Sequence, residues 1–269
     1  MNFNQIDRRQ ALVALGALGG SLGLGCAATV APKAAADAHA APPAKSPMGV
    51  LPWPYKTLDP DVVGQRGYDS YAKGHCMYGS FEAIVGSVAD QLGAPYDTFP
   101  YGMFVYGAGG INGWGTICGC LNGSAAAIQM LSPNPEPVID ELFRWYENTA
   151  LPDFDPKGIK FASVRSVASS PLCHPSIAKW CEKSSKKSYS PERKDRCGVL
   201  TAAVARHAAF LLNEQAAGRF AKASPLDPRT QKCSSCHEKG GEVENVRAKQ
   251  ICESCHPDPV LEQRGHQKL

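Results

Sequence analysis

Two short cysteine motifs near the C-terminus constrain this chain more than any other feature of its sequence. Residues 233–237 read Cys-Ser-Ser-Cys-His, and residues 252–256 read Cys-Glu-Ser-Cys-His. In a C-x-x-C-H unit the two cysteines can form thioethers to one haem, and the histidine can ligate its iron. The sequence therefore predicts two c-type haems. The predicted attachment residues are Cys233, Cys236, Cys252 and Cys255, and the predicted proximal iron ligands are His237 and His256.

The same four cysteines also fit a zinc ribbon. Their spacing is C-x2-C-x15-C-x2-C, which lies within the range of structural zinc sites with four thiolates. Zinc would leave both histidines without a role, whereas haem needs a histidine directly after each cysteine pair. Disulfide bonds are a third possibility. Haem is the preferred interpretation because it uses all six residues of the two motifs.

The N-terminus has the layout of an export signal. Arg8 and Arg9 precede the apolar, glycine-rich run 11–24, which is too short to span a bilayer comfortably. This is the pattern of a bacterial twin-arginine signal, so we expect a periplasmic protein that is cleaved within residues 34–41. Lipid attachment at Cys26 is the alternative. No later segment is long and apolar enough to predict a transmembrane helix.

Composition divides the chain into four parts. Residues 1–40 form the signal and its processing region, residues 41–61 a proline-rich extended arm, and residues 62–220 a helical, cysteine-rich domain. Residues 221–269 form a di-haem tail that is too polar to build its own core. The net charge of +3 argues against nucleic acid as a partner, and the 43% hydrophobic content supports a real core.

The predicted fold class is mainly α: an irregular helical domain with a glycine-rich loop, followed by a tail with little regular structure. Apolar periodicity predicts helices over residues 76–92, 119–131, 137–149 and 197–217. The second helix has a face of small residues that another backbone can approach closely. That face consists of Gly119, Gly123, Ala126 and Ala127.

Several cysteines lie where a metal centre could use them. Cys76 and Cys197 stand at predicted helix N-termini, where the helix dipole lowers the pKa of a thiol. The lysine-rich segment 183–194 before Cys197 is interpreted as a solvated loop. The glycine-rich segment 107–120 ends in Cys118 and Cys120, and its backbone N–H groups could donate to the sulfurs of a cluster. A small buried apolar residue is the alternative role for Cys76.

Three stretches resemble the split-Soret cytochrome c family. They read Gly-His-Cys-Met-Tyr-Gly-Ser-Phe-Glu-Ala-Ile at 74–84, Trp-Gly-Thr-Ile-Cys-Gly-Cys-Leu-Asn-Gly at 114–123, and Leu-Cys-His-Pro-Ser-Ile-Ala-Lys-Trp-Cys at 172–181. That family is part of a wider redox family with four spaced cysteines, the second in Cys-Gly-Ala-x-x-Gly. The resemblance implies a mainly helical homodimer with two c-type haems per subunit and an iron–sulfur cluster.

The resemblance also implies which cysteines hold the cluster. The four matching positions are Cys76, Cys118, Cys173 and Cys197. Cys181 is a reserve ligand, and Cys120 is interpreted as incidental because the family usually has alanine there. Four thiolates suit a 2Fe–2S or a 4Fe–4S cluster. Zinc bound by the same four residues and disulfide bonds are the alternatives.

The sixth ligand of each haem decides between electron transfer and catalysis. His75 is the first candidate, because the wider family, which lacks haem motifs, tends to have glycine there. His207 and His266 are weaker candidates. We expect an electron carrier with unknown redox partners. The alternatives are a haem enzyme that reduces a small substrate at an open iron position and a zinc-stapled structural protein, and binding of carbon monoxide or cyanide would favour the enzyme.

Overall fold

The computed structural model describes residues 49–220 and 224–257. The predicted export signal with Cys26, the first residues of the proline-rich arm, and the candidate ligand His266 lie outside these ranges. In the part of the chain that the structure describes, none of the helices has the length and apolar character needed to cross a membrane.

Helices dominate the described chain, and the prediction of a mainly α fold is confirmed. The helices are α1 Pro60–Leu92, α2 Gly119–Leu131, α3 Pro135–Asn148, α4 Cys173–Ser184, α5 Pro191–Ala216 and α6 Pro228–His237. Two short antiparallel strands, β1 Ala150–Leu151 and β2 Ser166–Val167, pair with Ala150 opposite Val167. The described residues also include short 3-10 helices at Tyr96–Thr98, Tyr101–Gly107 and Cys252–Ser254.

The helix predicted over residues 76–92 is the second part of a longer, kinked helix. α1 begins at Pro60, and the side chain of Asp59 caps it by accepting from the backbone of Asp61. Helical geometry breaks at Gly74 and His75, where His75 has φ 65° and ψ −160°. The first part escaped prediction because its polar residues and glycines leave no clear apolar stripe. Cys76 starts the second part, as predicted.

The small-residue face predicted for α2 is confirmed, because it packs directly against α1. A Cβ atom on Gly119 would lie 2.3 Å from the Gly107 carbonyl oxygen and 2.8 Å from the Cys76 Cβ. A Cβ atom on Gly123 would lie 2.3 Å from the Met77 carbonyl oxygen. Only glycine allows so close an approach. The contact brings the start of α2 beside Cys76.

The hydrophobic core lies between α1, α2 and α5, with α3 closing one side. Its largest fully buried side chains include Phe81, Ile84, Leu121, Ile128, Leu142, Tyr146, Leu200 and Leu212. The described part of the proline-rich arm lies over this core. Trp53 is buried, and its backbone N–H donates to Met130 O at 2.8 Å, while the Tyr55 hydroxyl donates to Asn213 Oδ1 at 2.7 Å.

The prediction that Cys197 opens a helix is wrong. α5 starts six residues earlier, at Pro191, and Ser190 caps it by accepting from the Arg193 backbone N–H at 3.2 Å. Serine as cap and proline in the first turn are strong helix starts, even in a lysine-rich segment. Cys197 therefore lies in the second turn, where the dipole argument does not hold. The predicted loop 183–194 shrinks to residues 185–190 between α4 and α5.

The tail contains more regular structure than its composition predicts, and it is anchored on α3. It includes α6, which Asp227 caps by accepting from the Arg229 backbone N–H at 2.9 Å. Ile251 is 1% exposed, and its backbone N–H donates to Glu147 Oε1 at 3.1 Å. Burial raises the pKa of the Glu147 carboxyl. Among the described residues of the tail, Ile251 is the one buried apolar side chain, which agrees with a tail that lacks its own core.

Candidate redox centres

The first C-x-x-C-H motif lies at the end of α6. Cys233, Cys236 and His237 have helical spacing i, i+3 and i+4, so they share one face. Cys233 is half-buried and Cys236 is exposed. His237 Nδ1 lies 2.8 Å from the amide oxygen of Asn245. Because that oxygen only accepts, Nδ1 carries the hydrogen, and Nε2 keeps the lone pair that an iron ligand needs.

The second motif meets the first at their leading cysteines. Cys252 starts the 3-10 segment and is half-buried, whereas Cys255 and His256 are exposed. Burial, and then the neighbouring thiol of Cys233, raise the pKa of Cys252 to about 11. The Thr230 hydroxyl on α6 also donates to Gln250 O at 3.1 Å. The two attachment motifs therefore lie side by side, although 15 residues separate their sequences.

The surroundings of these motifs fit a large apolar group. The loop after α6 folds back on the first motif: the Val243 backbone N–H donates to Cys236 O, and the Val246 backbone N–H donates to His237 O, both at 2.9 Å. Yet the two valine side chains are 49% and 42% exposed. Apolar side chains held beside the motif and left open to water would gain from cover by a porphyrin face. The motif residues thus fit haem attachment.

Five cysteines of the helical domain lie buried near one another. They are Cys76, Cys118, Cys120, Cys173 and Cys197. The loops before α2 and α4 join two of them: the Cys118 backbone N–H donates to Pro171 O at 2.9 Å, and the Cys173 backbone N–H donates to Thr116 O at 2.7 Å. An isolated β-bridge between Ile117 and Leu172 completes this pairing. Loop pairing, together with the contact between α1 and α2, thus gathers thiols that are distant in sequence.

Within this cluster the thiols associate in pairs. Cys76 interacts with Cys197, Cys118 interacts with Cys173, and the Sγ atoms of Cys118 and Cys120 are 3.4 Å apart. In the described chain, no three histidine, cysteine or acidic side chains already converge as a closed metal site. The cysteines therefore form a set of neighbouring pairs. A metal centre would have to draw the pairs together.

The electrostatics of the cluster favour thiolates at two positions. The hydrogen bond from Cys76, and then the charges of Arg196 and Arg193, lower the pKa of Cys197 to about 6. Hydrogen bonds from Cys120 and Cys173 hold the pKa of Cys118 well below its ordinary value. The thiolate is the form of cysteine that binds metal. Each pair thus contains one favoured thiolate, close to the buried Arg196 and the half-buried Arg193, and this arrangement suits a metal–thiolate group.

The structure of the cysteine cluster bears on the sequence interpretations of Cys120 and Cys181. Cys120 is not incidental in position, because it is fully buried against Cys118. The available signal was its position two residues after Cys118, in the first turn of an apolar helix. The reserve ligand Cys181 is half-buried, eight residues along α4 from Cys173, which is about 12 Å of helix. The structure does not bring it to the cluster.

The histidine candidates have different surroundings. His75 is exposed at the kink of α1, next to Cys76, with its ring edge-on to Tyr71 at 5.8 Å. His207 instead stacks on Trp145, with ring centroids 3.9 Å apart and an interplanar angle of 12°. The centroid of the Phe210 ring lies 5.8 Å from that of the His207 ring. Packing between aromatic rings is the surrounding expected of a core histidine.

Replacing His207 by phenylalanine should make the protein less sensitive to acid. Burial lowers the pKa of His207 to about 4 from 6.5. Below pH 6.5 the unfolded chain therefore binds a proton that the folded chain does not, and stability falls as pH falls towards 4. The difference amounts to roughly 3 kcal/mol at most. Urea unfolding between pH 4 and 7 measures it, and parallel pH profiles for the variant and the wild type would contradict the assignment.

Together the helical fold, the paired C-x-x-C-H motifs and the cysteine cluster define a cytochrome-like redox protein. Comparison with protein families agrees. Residues 78–211 match the family model described as a redox-active protein (C_GCAxxG_C_C). That match spans Cys118, Cys173 and Cys197, which are three of the four predicted cluster ligands.

Individual relatives make the assignment more specific. The chain is 38% identical over 266 residues to split-Soret cytochrome c of Desulfovibrio desulfuricans, covering 93% of this chain and 94% of that protein. A solved structure of that cytochrome, described as showing a novel iron centre, matches with a TM-score of 0.72 and covers 78% of this chain and 91% of that one. The chain therefore belongs to the split-Soret cytochrome c family, and the resemblance noted in the sequence is confirmed.

Proposed function

We propose that this protein is a periplasmic electron carrier with two c-type haems and a buried iron–sulfur cluster. The observation that carries the proposal is the side-by-side arrangement of the two C-x-x-C-H motifs: Thr230 Oγ1 on the first motif's helix donates to Gln250 O at 3.1 Å, and Arg229 Nη1 lies 3.8 Å from Glu253 Oε2. Membership of a cytochrome family supports haem, and the described iron centre of the relative supports additional iron. The electron carrier is favoured over an enzyme because the relative is named as a cytochrome c.

The chain's own residues would set the chemistry of the haems. Haem iron supplies a one-electron couple when bound. Cys233, Cys236, Cys252 and Cys255 would hold the two porphyrins covalently, with His237 and His256 as proximal ligands. Asn245 orients the His237 ring by accepting from Nδ1 at 2.8 Å, which raises the basicity of the ligating nitrogen. Motifs in contact would keep the two haems close enough to exchange electrons.

The helical domain would hold the cluster. We assign the four thiolate positions to Cys76, Cys118, Cys173 and Cys197, each of which is at least 92% buried. Arg193, whose Nη1 lies 4.0 Å from Cys197 Sγ, places a positive charge beside these thiols. A cation close to the thiols favours their ionised form and an anionic metal–thiolate group.

We also propose that two copies of the chain associate. From residue 98 to residue 135 the sequence contains no Asp, Glu, Lys or Arg. This uncharged segment nevertheless exposes Met103, Tyr106, Ile111 and Trp114, the last at 81%. Depletion of charge and enrichment in aromatic residues and methionine are typical of the centre of an interface. A sedimentation mass of the intact protein equal to one chain would exclude the dimer.

The metal inventory of the mature protein tests the proposed function. Iron, zinc and covalent haem are measured per chain. An iron-to-haem ratio of about two corresponds to a 2Fe–2S cluster and about three to a 4Fe–4S cluster, beside two haems. A ratio of one removes the cluster. Zinc in place of the extra iron assigns the cysteines to a structural metal. Absence of haem after acid–acetone extraction overturns the whole proposal.

Replacing His75 by alanine should convert one haem to a high-spin form. A histidine with φ 65° is held in a conformation that L-residues rarely adopt, and such strain is often retained at functional sites. Its exposed ring is available to a haem outside the core of its own domain. Loss of the sixth ligand changes the visible spectrum and opens the iron to carbon monoxide. An unchanged low-spin spectrum would remove His75 as a ligand.

A further inference from the structure

One buried cation of the helical domain lacks the partner that its charge requires. Arg196 is 4% exposed on α5, next to Cys197. Its Nη2 donates to Ser176 Oγ at 3.2 Å, whereas Nε and Nη1 have no hydrogen-bond partner among the described residues. A buried guanidinium is strongly destabilising unless negative charge and hydrogen-bond acceptors surround it. Its location therefore indicates that a negatively charged group belongs beside it.

The groups around Arg196 identify that negative charge. The ionisable side chains that act on it most strongly are Cys197, Tyr146, Cys118 and Cys120. The Ser176 hydroxyl receives hydrogen bonds from both sides, from Arg196 and from the Tyr146 hydroxyl at 2.9 Å. Arg196 is thereby fixed at the wall of the cysteine cluster, with Nε and Nη1 both free to donate.

We propose that Arg196 is the counter-charge of the thiolate–metal group in the cysteine cluster and a positioning residue that favours its reduced form. The inference rests on the proposed iron–sulfur function. Reduction adds one negative charge to a group that four thiolates already make anionic. A fixed cation in a water-poor site stabilises that added charge strongly, because little solvent screens it. Its free N–H groups are also suited to donate to sulfur.

The main test replaces Arg196 by methionine, with Arg196→Lys and Arg206→Met as matched variants. In Arg196→Met, we expect the ratio of reduced to oxidised cluster at a fixed solution potential to fall at least tenfold. For a one-electron couple this equals 59 mV. Arg196→Lys keeps the charge and should recover most of the loss. Arg206 lies on the same helix but pairs with Asp61 at 2.6 Å on the surface, so Arg206→Met should leave the ratio unchanged.

A second measurement separates this role from a structural one. Thermal midpoints are compared for iron-loaded protein and for protein from which a chelator has removed the non-haem iron. In the iron-free state Arg196→Met should lose little stability relative to the wild type, because Arg196 then faces only the thiols and thiolates of the cluster and not the full metal–thiolate group. In the loaded state it should be less stable. If the methionine variant does not fold, the same comparison is made with Arg196→Gln, which keeps a hydrogen-bond donor to Ser176 but lacks the positive charge.

The outcomes distinguish the two levels of the proposal. A wild-type protein without non-haem iron overturns the iron–sulfur assignment itself. A wild-type protein with iron whose reduced fraction is unaffected by Arg196→Met overturns the inference about Arg196 alone. An iron-free variant that loses as much stability as the loaded variant also overturns it, since the arginine is then structural. Loss of iron from Arg196→Met, with iron retained in Arg196→Lys, supports the counter-charge.

Discussion

Replacing Cys233 and Cys236 together by alanine should remove one covalently bound haem per chain and leave the other. The reason is that each haem depends on its own cysteine pair, one on α6 and the other at the Cys252–Ser254 segment. Intact-protein mass counts the attached haems directly, and the absorbance of the reduced pyridine complex should fall to about half.

The control for this variant is Cys181→Ala, which changes a half-buried cysteine of α4 that lies apart from both centres. It should keep both haems. Because Cys233 interacts with Cys252, the remaining haem should also show an altered spectrum in the double variant. Survival of two haems after loss of the first cysteine pair would disprove the assignment of the motifs.

Replacing Cys118 by serine should abolish the non-haem iron while leaving the haem count unchanged. Cys118 is 3% exposed and contacts both Cys120 and Cys173, so it is the residue through which three thiols meet. Its loss removes one ligand and leaves Cys120 and Cys173, whose thiols donate to Cys118, with their protons. The iron-to-haem ratio should fall to one, and the signal of the reduced cluster in electron paramagnetic resonance should vanish.

Cys120 makes a second variant necessary. Its Sγ lies 3.4 Å from that of Cys118, close enough to replace the lost ligand. Cys118→Ser combined with Cys120→Ala closes this route, and Cys120→Ala alone should retain iron if Cys118 is the ligand. Full iron content in the double variant would show that the cysteines of the helical domain do not hold the metal.

The sequence was informative where one local signal decides the structure. The C-x-x-C-H motifs predict haem attachment from covalent chemistry alone. α2 runs over the predicted residues, and its Gly119 and Gly123 pack directly on α1. The start of α5 was missed because lysine content outweighed the capping signal of Ser190 and Pro191. The first part of α1 was missed because its buried face contains glycine, serine and tyrosine. These residues do not produce the apolar periodicity from which a helix is predicted.

The candidate centres could be predicted only in part, because their remaining features depend on contacts between distant segments. Cys118 and Cys173 meet because two irregular loops pair at Ile117 and Leu172. Helix and strand patterns in the sequence do not predict such a pairing. The importance of Arg196 is invisible in the sequence. An arginine between an aspartate and a cysteine, in a segment rich in charge, resembles any surface charge. Only its burial with two nitrogens lacking hydrogen-bond partners distinguishes it.

The attachment of the tail to α3 has a consequence for how electrons would travel. Tyr146 contacts Cys118 and Ser176, while its neighbour Glu147 holds the backbone of Ile251, directly before Cys252. One peptide unit of a rigid helix therefore connects the segment that would carry the second haem with the cysteines that would carry the cluster. Electron transfer between that haem and the cluster would follow a path of fixed length through covalent and hydrogen bonds. Its rate would therefore not depend on movement of the tail relative to the helical domain.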